Sequence, residues 1–324
     1  MRVLAADIGG TKTVVALCEV EGPRVATLAS RRYSSHAHAS AEEVLLAFAR
    51  EVPLEDVGAA CLGVAGPVED GRCRTTNLPW VIDGAALSRA LALPRVRVVN
   101  DFHAAAAGIE ALDPSQRVVV QEGVPRALAP RVVLGAGTGL GEALVVWGGE
   151  GWCCVPGEGG HADFGARTAR EVALAEALRA RYGRVSWERV VSGMGLADIY
   201  AHLRDDASLR ESPAVAAEIA AGDVGAVIGA HALAGDDPLC VEALDVFLEA
   251  YGAEAGNAAL RALARGGVFL AGGIAAKVLP RLLAGAFLRG FLDKGRMRDL
   301  AAQMPVYVVT EPNLGLLGAA LLAR

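Results

Sequence analysis

The sequence lacks the features that direct a chain to nucleic acid or to a membrane. Its 37 acidic residues outnumber its 31 basic ones, the net charge is −6, and no strongly basic block occurs. Binding to nucleic acid depends on such a block, so we expect no nucleic-acid partner. No uncharged apolar run reaches about 18 residues, the length of a membrane helix. Because Asp7 interrupts the first apolar run, a signal peptide is not expected either.

Cysteine is sparse, and its spacing excludes the common redox and metal motifs. The chain has 6 cysteines and no C-x-x-C pair. The neighbours Cys153 and Cys154 leave a redox pair open, but isolated cysteines in apolar surroundings are more typical of small core residues. We therefore expect a reducing cytoplasm. With 324 residues, 53% of them hydrophobic, the chain is long enough for two domains.

A glycine-rich turn between two apolar strands near the amino terminus is typical of phosphate binding. The turn Asp7-Ile8-Gly9-Gly10-Thr11-Lys12 and its flanking strands predict a β-hairpin. Gly9 and Gly10 would let backbone N–H groups approach phosphate oxygens, and Thr11 would add a hydroxyl donor. Asp7 can hold a metal or its water shell. The alternative is an ordinary hairpin whose Asp and Gly only satisfy the turn geometry.

A second turn, Gly135-Ala136-Gly137-Thr138-Gly139-Leu140-Gly141, repeats this design between apolar strands. The aligned pairs are Asp7 with Gly135, Gly9 with Gly137, and Thr11 with Gly139. The turn is not a Walker A loop, because no G-K-[ST] follows, and not a Rossmann fingerprint, because a strand comes next instead of a helix. Two such hairpins predict a duplicated architecture in which each domain places one hairpin against the same ligand.

Candidate ligand residues follow a strand that ends near residue 99. Arg95–Val99 predicts a strand that delivers Asn100 and Asp101 to its carboxyl end, just before a helix expected from Ala104. Proteins with α/β folds place ligand-binding groups at this position. In the alternative interpretation, Asn100 or Asp101 only caps the helix.

Three further segments carry candidate ligands, each with an alternative or local interpretation. Glu158 and His161 lie in the glycine-rich segment Gly157–Phe164, which can present several hydrogen bonds to a small polyol or can be a surface turn with an incidental histidine. Glu188, taken alone, is typical of a solvated carboxylate at a helix start. Gly272-Gly273, between a buried strand and a helix, can accept a flat purine against bare backbone.

In their order along the chain, these motifs resemble those of the bacterial glucokinases of the hexokinase, Hsp70 and actin ATPase superfamily. The resemblance covers essentially the whole chain, and Pro156–His161 with Gly135–Gly141 are its most specific blocks. It implies an α/β, actin-like (ribonuclease H-like) two-domain ATPase fold with an interdomain cleft. The small domain would comprise residues 1–110, completed by the C-terminal helix at about 305–324, and the large domain residues 111–304.

The resemblance also implies a role for each motif. Asp101 would be the catalytic base that acts on the sugar 6-hydroxyl. The residues expected to bind the sugar are Asn100, Asp101, Glu158, His161 and Glu188. The residues expected to bind ATP are Asp7, Gly9, Gly10, Thr11, Lys12, Gly135, Gly137, Thr138, Gly139, Gly272 and Gly273. Mg²⁺ would be held mainly through the nucleotide phosphates, with Asp7 near its water shell.

Two departures bear on the branch of the family. Lys12 stands where glucokinases often carry Asn, and the related repressor, open-reading-frame and kinase family also has Lys there. That related family usually carries a cysteine-rich zinc motif after its Glu-x-Gly-His, whereas Asp163-Phe164-Gly165 follows here. We therefore expect the zinc-free glucokinase branch, with no metal bound by protein ligands alone.

The expected function is ATP-dependent phosphorylation of glucose at the 6-hydroxyl, giving glucose 6-phosphate for glycolysis. The resemblance suggests a cytoplasmic homodimer. One alternative is a kinase for another hexose or amino sugar, and another is a non-catalytic sugar sensor on the same fold. A DNA-binding regulator would need a helix-turn-helix module, and Met1 opens directly on the first hairpin strand. A filament-forming actin relative would leave Glu158, His161 and Glu188 without a purpose.

Overall fold

The computed structural model describes residues 1–75, 77–205 and 210–324. Its strands are β1 (Arg2–Ile8), β2 (Lys12–Glu21), β3 (Arg24–Ser34), β4 (Val57–Val64), β5 (Val68–Glu69), β6 (Arg72–Arg74), β7 (Val81–Asp83), β8 (Val96–Asn100), β9 (Arg117–Gln121), β10 (Arg131–Ala136), β11 (Leu140–Trp147), β12 (Trp152–Gly157), β13 (Gly267–Ala271) and β14 (Val306–Val309). Its α-helices are α1 (Ala41–Glu51), α2 (Gly84–Ala90), α3 (Asp101–Gly108), α4 (Ala169–Tyr182), α5 (Gly193–Arg204), α6 (Pro213–Ala221), α7 (Val224–Ala234), α8 (Pro238–Ala262), α9 (Gly273–Lys277), α10 (Leu279–Leu283), α11 (Ala286–Leu292), α12 (Arg298–Ala302) and α13 (Leu314–Ala323).

The chain divides into two compact units. The first unit comprises Met1–Gln116, Gly148–Pro156 and Glu311–Arg324, and the second comprises Arg117–Trp147 and Gly157–Thr310. The boundaries expected from the sequence were residue 110 and about residue 305. In the structure, the first unit extends to Gln116 and includes Gly148–Pro156, and β14 lies in the second unit.

A mixed five-stranded sheet in the order β3-β2-β1-β4-β8 forms the centre of the first unit. β1 pairs antiparallel with β2 and parallel with β4, and β4 pairs parallel with β8. Leu4 of β1 packs in a cluster with Phe48 of α1. Val3 of β1 packs in a separate cluster with Leu316 of α13. Because helices cover both faces, β1 and β4 are apolar along most of their length.

Close helix packing fixes the position of α3 in the first unit. A Cβ atom added to Gly318 of α13 would lie 2.7 Å from the backbone nitrogen of Gly108 on α3. The helix begins at Asp101, and not at Ala104 as expected. It starts earlier because the side chain of Asn100 accepts hydrogen bonds from the first free backbone N–H groups.

The second unit contains strands in the order β11-β10-β13-β14-β9. β10 pairs antiparallel with β11 and parallel with β13, and β13 pairs parallel with β14. The 25-residue helix α8 is buried along most of its length. A Cβ on Gly252 would lie 2.8 Å from the carbonyl carbon of Phe287, and one on Gly256 would lie 2.6 Å from the carbonyl oxygen of Phe291. These glycines therefore permit the close approach of α11 to α8.

Four helices have no pattern in the sequence that predicts them. Helices α7, α10, α11 and α12 were not expected, because short or uniformly apolar segments show no helical alternation of apolar and polar residues.

All six cysteines are free; Cys153 is exposed, Cys154 is half-buried, and the other four are buried. The core interpretation is thus confirmed for the buried four. Thr76, in the polar stretch after Asp70, lies outside the described residues. Among the described helices, none has the length and apolarity needed to cross a membrane.

Candidate active site

The first glycine turn has the predicted hairpin geometry. The backbone N–H of Gly9 donates to the carbonyl oxygen of Lys12 at 3.0 Å, which closes the turn between β1 and β2. A Cβ on Gly10 would lie 2.8 Å from Cβ of Asn77, so this glycine permits a close approach. Thr11 and Lys12 are exposed. Because turn closure uses the Gly9 N–H, the exposed donors near the turn are on Thr11 and Lys12.

Ser35 supports this hairpin and was missed by sequence reasoning. Its hydroxyl donates to the carbonyl oxygen of Gly9 at 2.8 Å, and its backbone N–H donates to the carbonyl oxygen of Thr11 at 3.0 Å. The Thr13 hydroxyl lies 3.0 Å from Ser35 Oγ. Ser35 and Thr13 are both fully buried. No local pattern marks Ser35, because an isolated serine after a strand is common in turns.

Asp7 and Asp101 are electrostatically coupled in the first unit. Burial raises the pKa of Asp7 most, the charge of Asp101 raises it further, and Lys12 lowers it. A Cβ on Gly315 of α13 would lie 3.5 Å from the Asp7 carboxyl carbon, so the glycine leaves room beside the carboxylate. Two neighbouring carboxylates of this kind favour a bound cation or a proton between them.

Asn100 and Asp101 occupy the amino terminus of α3. The Phe102 N–H lies 2.8 Å from Asp101 Oδ1 and 2.9 Å from Asn100 Oδ1. Asn100 Oδ1 also accepts from the His103 N–H at 3.2 Å, and its Nδ2 donates to the Gly66 carbonyl oxygen at 3.1 Å. The side-chain oxygen of Asn100 therefore caps the helix, as the alternative interpretation predicted. Asp101 is held at the carboxyl end of β8, where the sequence predicted a ligand group.

The second glycine turn closes in a related way and lies against a helix terminus. The Gly137 N–H donates to the Gly139 carbonyl oxygen at 2.8 Å, and the Gly193 N–H donates to the Gly137 carbonyl oxygen at 2.8 Å. Gly193 opens α5, whose cap Ser192 accepts from the Gly195 N–H at 3.1 Å. The amino terminus of a 12-residue helix thus lies beside Gly137. Such termini attract phosphate through their free N–H groups and dipole.

Glu158, His161 and Glu188 lie together in the second unit. His161 forms a short 3₁₀ turn with Gly159 and Gly160. Its ring nitrogens lie 3.9 Å from Glu158 Oε2 and 3.9 Å from Glu188 Oε1. The Glu158 side chain is 85% exposed and that of His161 is 59% exposed. A hydroxylated ligand can therefore reach all three groups.

Glu188 is not the solvated carboxylate at a helix start that its local sequence indicated. It lies in a turn before α5, its side chain is 24% exposed, and its Oε2 accepts the Leu140 N–H at 2.9 Å. The Glu188 N–H in turn donates to the Gly160 carbonyl oxygen at 2.8 Å. One residue thus connects the second glycine hairpin to the turn that carries His161.

Arg184 braces the outer side of this turn and was also missed. Its Nη2 donates to the His161 carbonyl oxygen at 2.9 Å, and its Nε donates to Asp163 Oδ1 at 2.9 Å. Arg184 therefore holds His161 and Asp163 in place, next to the β-bridge between Asp163 and Ser186. An arginine far along the chain offers no sequence signal for this contact.

The Gly272-Gly273 pair lies beside the second glycine hairpin. Gly272 has φ of +81°, and a Cβ there would lie 2.6 Å from the Ala136 carbonyl oxygen. Only glycine fits this position, since both the backbone angle and the contact exclude a side chain. A Cβ on Gly273 would meet nothing within 4 Å, so a flat group has space above this residue.

The predicted site residues thus form one group in each unit. Those in the first unit are Asp7, Gly9, Gly10, Thr11, Lys12, Asn100 and Asp101. Those in the second unit are Gly135, Gly137, Thr138, Gly139, Glu158, His161, Glu188, Gly272 and Gly273. Their roles as ligands stay a prediction.

Comparison with known proteins identifies the family. The glucokinase family model matches residues 4–324. A curated glucokinase of Synechocystis sp. is 41% identical over 347 residues, which cover 100% of this chain and 98% of that protein. The chain belongs to the glucokinase family. A glucokinase of Nostoc punctiforme is 40% identical over 335 residues, covering 99% of this chain and 98% of the relative.

Solved glucokinases share this fold. The crystal structure of glucokinase from an Antarctic psychrotroph has a TM-score of 0.88 at 31% identity and covers 99% of this chain and 98% of that one. A glucokinase from Balamuthia mandrillaris, solved in complex with glucose, has a TM-score of 0.78 at 22% identity over 100% of this chain and 93% of its own. The predictions of a glucokinase relative and of an actin-like α/β fold are both confirmed.

Proposed function

We propose that this member of the glucokinase family transfers the γ-phosphoryl group of ATP to the 6-hydroxyl of glucose. Family membership over the whole chain supports a phosphotransferase that acts on a sugar. The observation that carries the proposal is the grouping of Glu158, His161 and Glu188, with Glu188 also bound to Leu140 of the glycine hairpin. The Glu188 side chain thereby connects groups that suit a sugar to a glycine turn that suits a phosphate.

Asp101 would act as the base in this reaction. A sugar hydroxyl is too weak an acid to ionise beforehand, so the carboxylate orients the hydroxyl and takes its proton while the oxygen–phosphorus bond forms. The bond between the γ-phosphorus and the bridging oxygen breaks at the same time, and ADP leaves. The hydrogen bond from Phe102 to Asp101 Oδ1 orients the carboxylate for this role.

Glu158, His161 and Glu188 would recognise the sugar hydroxyls. Carboxylates accept hydrogen bonds from hydroxyls, and an imidazole can donate or accept one, so the three groups suit a polyol. An analogue that lacks one hydroxyl would leave a ligand group unpaired, at a cost of about 1–3 kcal/mol. Such a loss favours glucose over its deoxy analogues.

The glycine hairpin of each unit would bind ATP through backbone N–H groups and through Thr11, Lys12 and Thr138. Within residues 1–75, 77–205 and 210–324, no three His, Cys, Asp or Glu side chains form a metal cluster. The coupled carboxylates of Asp7 and Asp101 fit a hard cation at one side. Asp7 would thus hold the water shell of a Mg²⁺ that is bound mainly by phosphates. When bound, Mg²⁺ neutralises phosphate charge.

We further propose that the protein works in a reducing cytoplasm as a homodimer. The six free cysteines support the reducing compartment, because oxidising compartments favour disulfides. Sedimentation of the purified chain tests the homodimer, and a mass near twice 33.3 kDa is the expected outcome.

The decisive experiment measures glucose 6-phosphate formed from glucose and Mg-ATP. Asp101→Asn should lower kcat by about a hundredfold to ten-thousandfold, the range expected for a lost general base. Asp56→Asn is the control, because this exposed aspartate pairs with Arg2 at the surface. Wild-type activity with an unaffected Asp101→Asn variant would rule out the base assignment.

The same assay separates the alternatives. Mannose, N-acetylglucosamine and fructose, offered in place of glucose, test a kinase for another hexose or amino sugar. ADP and polyphosphate, offered in place of ATP, test the phosphoryl donor. Binding of glucose without product from any of these pairs would indicate a sugar sensor.

A further inference from the structure

Glu142 is a buried carboxyl that none of the proposed substrate contacts uses. It lies on β11, two residues after Leu140, and its side chain is 9% exposed. A Cβ added to Gly159 would lie 2.6 Å from Glu142 Cδ and 3.3 Å from Glu142 Cβ. The backbone of the turn that carries Glu158 and His161 therefore rests directly on this carboxyl group. Only glycine at position 159 allows the contact.

The neighbours of Glu142 compensate its charge poorly. Arg261 Nη2 lies 3.6 Å from Glu142 Oε2, but it bonds more closely to Oε1 of the fully buried Glu254. Glu254 Oε2 also accepts the Asn257 amide at 3.0 Å. Among the described residues, Glu142 Oε1 has no hydrogen-bond partner although it is buried. Two buried carboxyls thus share one arginine, and Glu142 receives the weaker contact.

Among the described residues, Arg261 is the basic group whose charge lowers the pKa of Glu142, and Lys294 interacts with Glu254. β10 places Leu134 opposite Glu142 in the sheet. Tyr251 of α8 donates to the Leu134 carbonyl oxygen, and burial raises the pKa of its phenol, with a smaller contribution from the charge of Glu142. His161 of the 3₁₀ turn faces Glu158 and Glu188 instead. Burial, followed by the charge of Glu254, raises the pKa of Glu142 to about 7, and Arg261 offsets only part of this rise.

We propose that Glu142 is a positioning residue for the sugar site, whose uncharged carboxyl supports Gly159 and whose ionisation displaces the turn that bears Glu158 and His161. This inference rests on the proposed function. The uncharged form fits the structure better because a buried oxygen without a partner costs less free energy in a neutral carboxyl than in a carboxylate. An ionised Glu142 would repel Glu254 and compete with it for Arg261, whose side chain is 56% exposed.

The consequence is a change in sugar affinity near neutral pH. Displacing one hydrogen-bonding group of the site costs about 1.4 kcal/mol, or tenfold in affinity. The KM for glucose at saturating Mg-ATP should therefore rise about tenfold as pH increases through 7. The value of kcat should change little through Glu142, because the carboxyl touches neither the reacting hydroxyl nor the phosphates.

Three variants test this proposal between about pH 6 and pH 8.5, where the carboxyl titrates. Glu142→Gln keeps the shape of the uncharged form, so its KM for glucose should stay low and lose the rise with pH. Glu142→Ala removes the support for Gly159 and should raise KM about tenfold at every pH. Glu171→Gln is the matched control, because this buried glutamate lies on α4 and pairs with Arg167, and its KM for glucose should follow that of the wild type. His161 is present in all variants, so differences between them arise from the substituted position.

The outcomes distinguish this inference from the proposed function. An active wild type whose rise in KM persists in Glu142→Gln would overturn the role of Glu142 alone. An unchanged KM in Glu142→Ala would do the same. Calorimetric titration with glucose, in the absence of ATP, should show the same pH-dependent affinity. If the wild type neither binds nor phosphorylates glucose, the proposed function is wrong and the inference falls with it.

Discussion

Glu188 accepts a hydrogen bond from the backbone N–H of Leu140, with 2.9 Å between Oε2 and the nitrogen. The other oxygen of the same carboxylate lies 3.9 Å from the His161 ring. A single side chain therefore contacts both the glycine hairpin that would bind phosphate and the group that would bind sugar. In the second unit, this contact couples the two halves of the proposed reaction.

The first prediction concerns this coupling. Glu188→Ala removes both contacts and should raise the KM for glucose and for ATP about tenfold to a hundredfold, as expected for a lost charged hydrogen bond. Glu188→Gln keeps an oxygen for the Leu140 N–H, so it should mainly raise the KM for glucose. Steady-state kinetics measures both constants. Glu176→Gln on the exposed face of α4 is the control, and an ATP constant equal in both Glu188 variants would contradict the coupling.

The second prediction compares two adjacent glycines. Gly272→Ala forces a side chain into a left-handed conformation against the Ala136 carbonyl, and thermal or urea unfolding should show a loss of about 2–4 kcal/mol. Gly273→Ala has space for its methyl group and should leave stability unchanged or raise it by up to about 1 kcal/mol. If the adenosine lies above Gly273, the Gly273→Ala variant should fold normally and have a higher KM for ATP. A stable Gly272→Ala variant would refute the packing argument.

The third prediction concerns the support of the first hairpin. Ser35→Ala leaves the Gly9 carbonyl oxygen and the Thr13 hydroxyl without their buried partner, and should lower the free energy of unfolding by about 1–3 kcal/mol. The KM for ATP should rise, since the hairpin loses its anchor. Ser30→Ala, at an exposed position on β3, should change the free energy of unfolding by less than about 0.5 kcal/mol. Equal effects of the two substitutions would exclude a specific role for Ser35.

The fourth prediction tests the ionisation of Glu142 through stability, without any substrate. Its pKa rises from 4.5 to about 7 on folding, so the folded chain binds the proton more tightly than the unfolded chain does. The wild type therefore loses stability as pH increases through this range, by about 3 kcal/mol in total. Glu142→Gln lacks this loss and should gain about 3 kcal/mol relative to the wild type between pH 4 and pH 8. Urea unfolding at both pH values measures the difference, and a constant difference would contradict the shifted pKa.

Much of the fold follows from local sequence. A glycine turn between two apolar strands can form a hairpin with few other choices, so β1–β2 and β10–β11 were predicted. The start of α3 was placed three residues too late, because the capping role of Asn100 outweighed the alanine-rich pattern that follows it.

The candidate site was harder to predict where partners lie far apart in the chain. The local sequence indicated a solvated carboxylate for Glu188, because its partner Leu140 is 48 residues away. Ser35 is 26 residues from Gly9, whose carbonyl oxygen it binds. Glu142 lies in an apolar strand, and its proposed role becomes visible only from the turn at Gly159 that packs on it. No local pattern records such contacts, because they depend on how strands and turns pack.

The sequence by itself determined the family, the two glycine hairpins and the residue types that suit sugar and phosphate. These properties depend on short segments whose glycines, carboxylates and apolar alternation act locally. The tertiary structure alone decided that Glu188 joins the second hairpin to His161, that Ser35 anchors the first hairpin, and that Glu142 lies buried beneath Gly159. The physical reason is that hydrogen bonding and desolvation depend on distance in space, which packing sets.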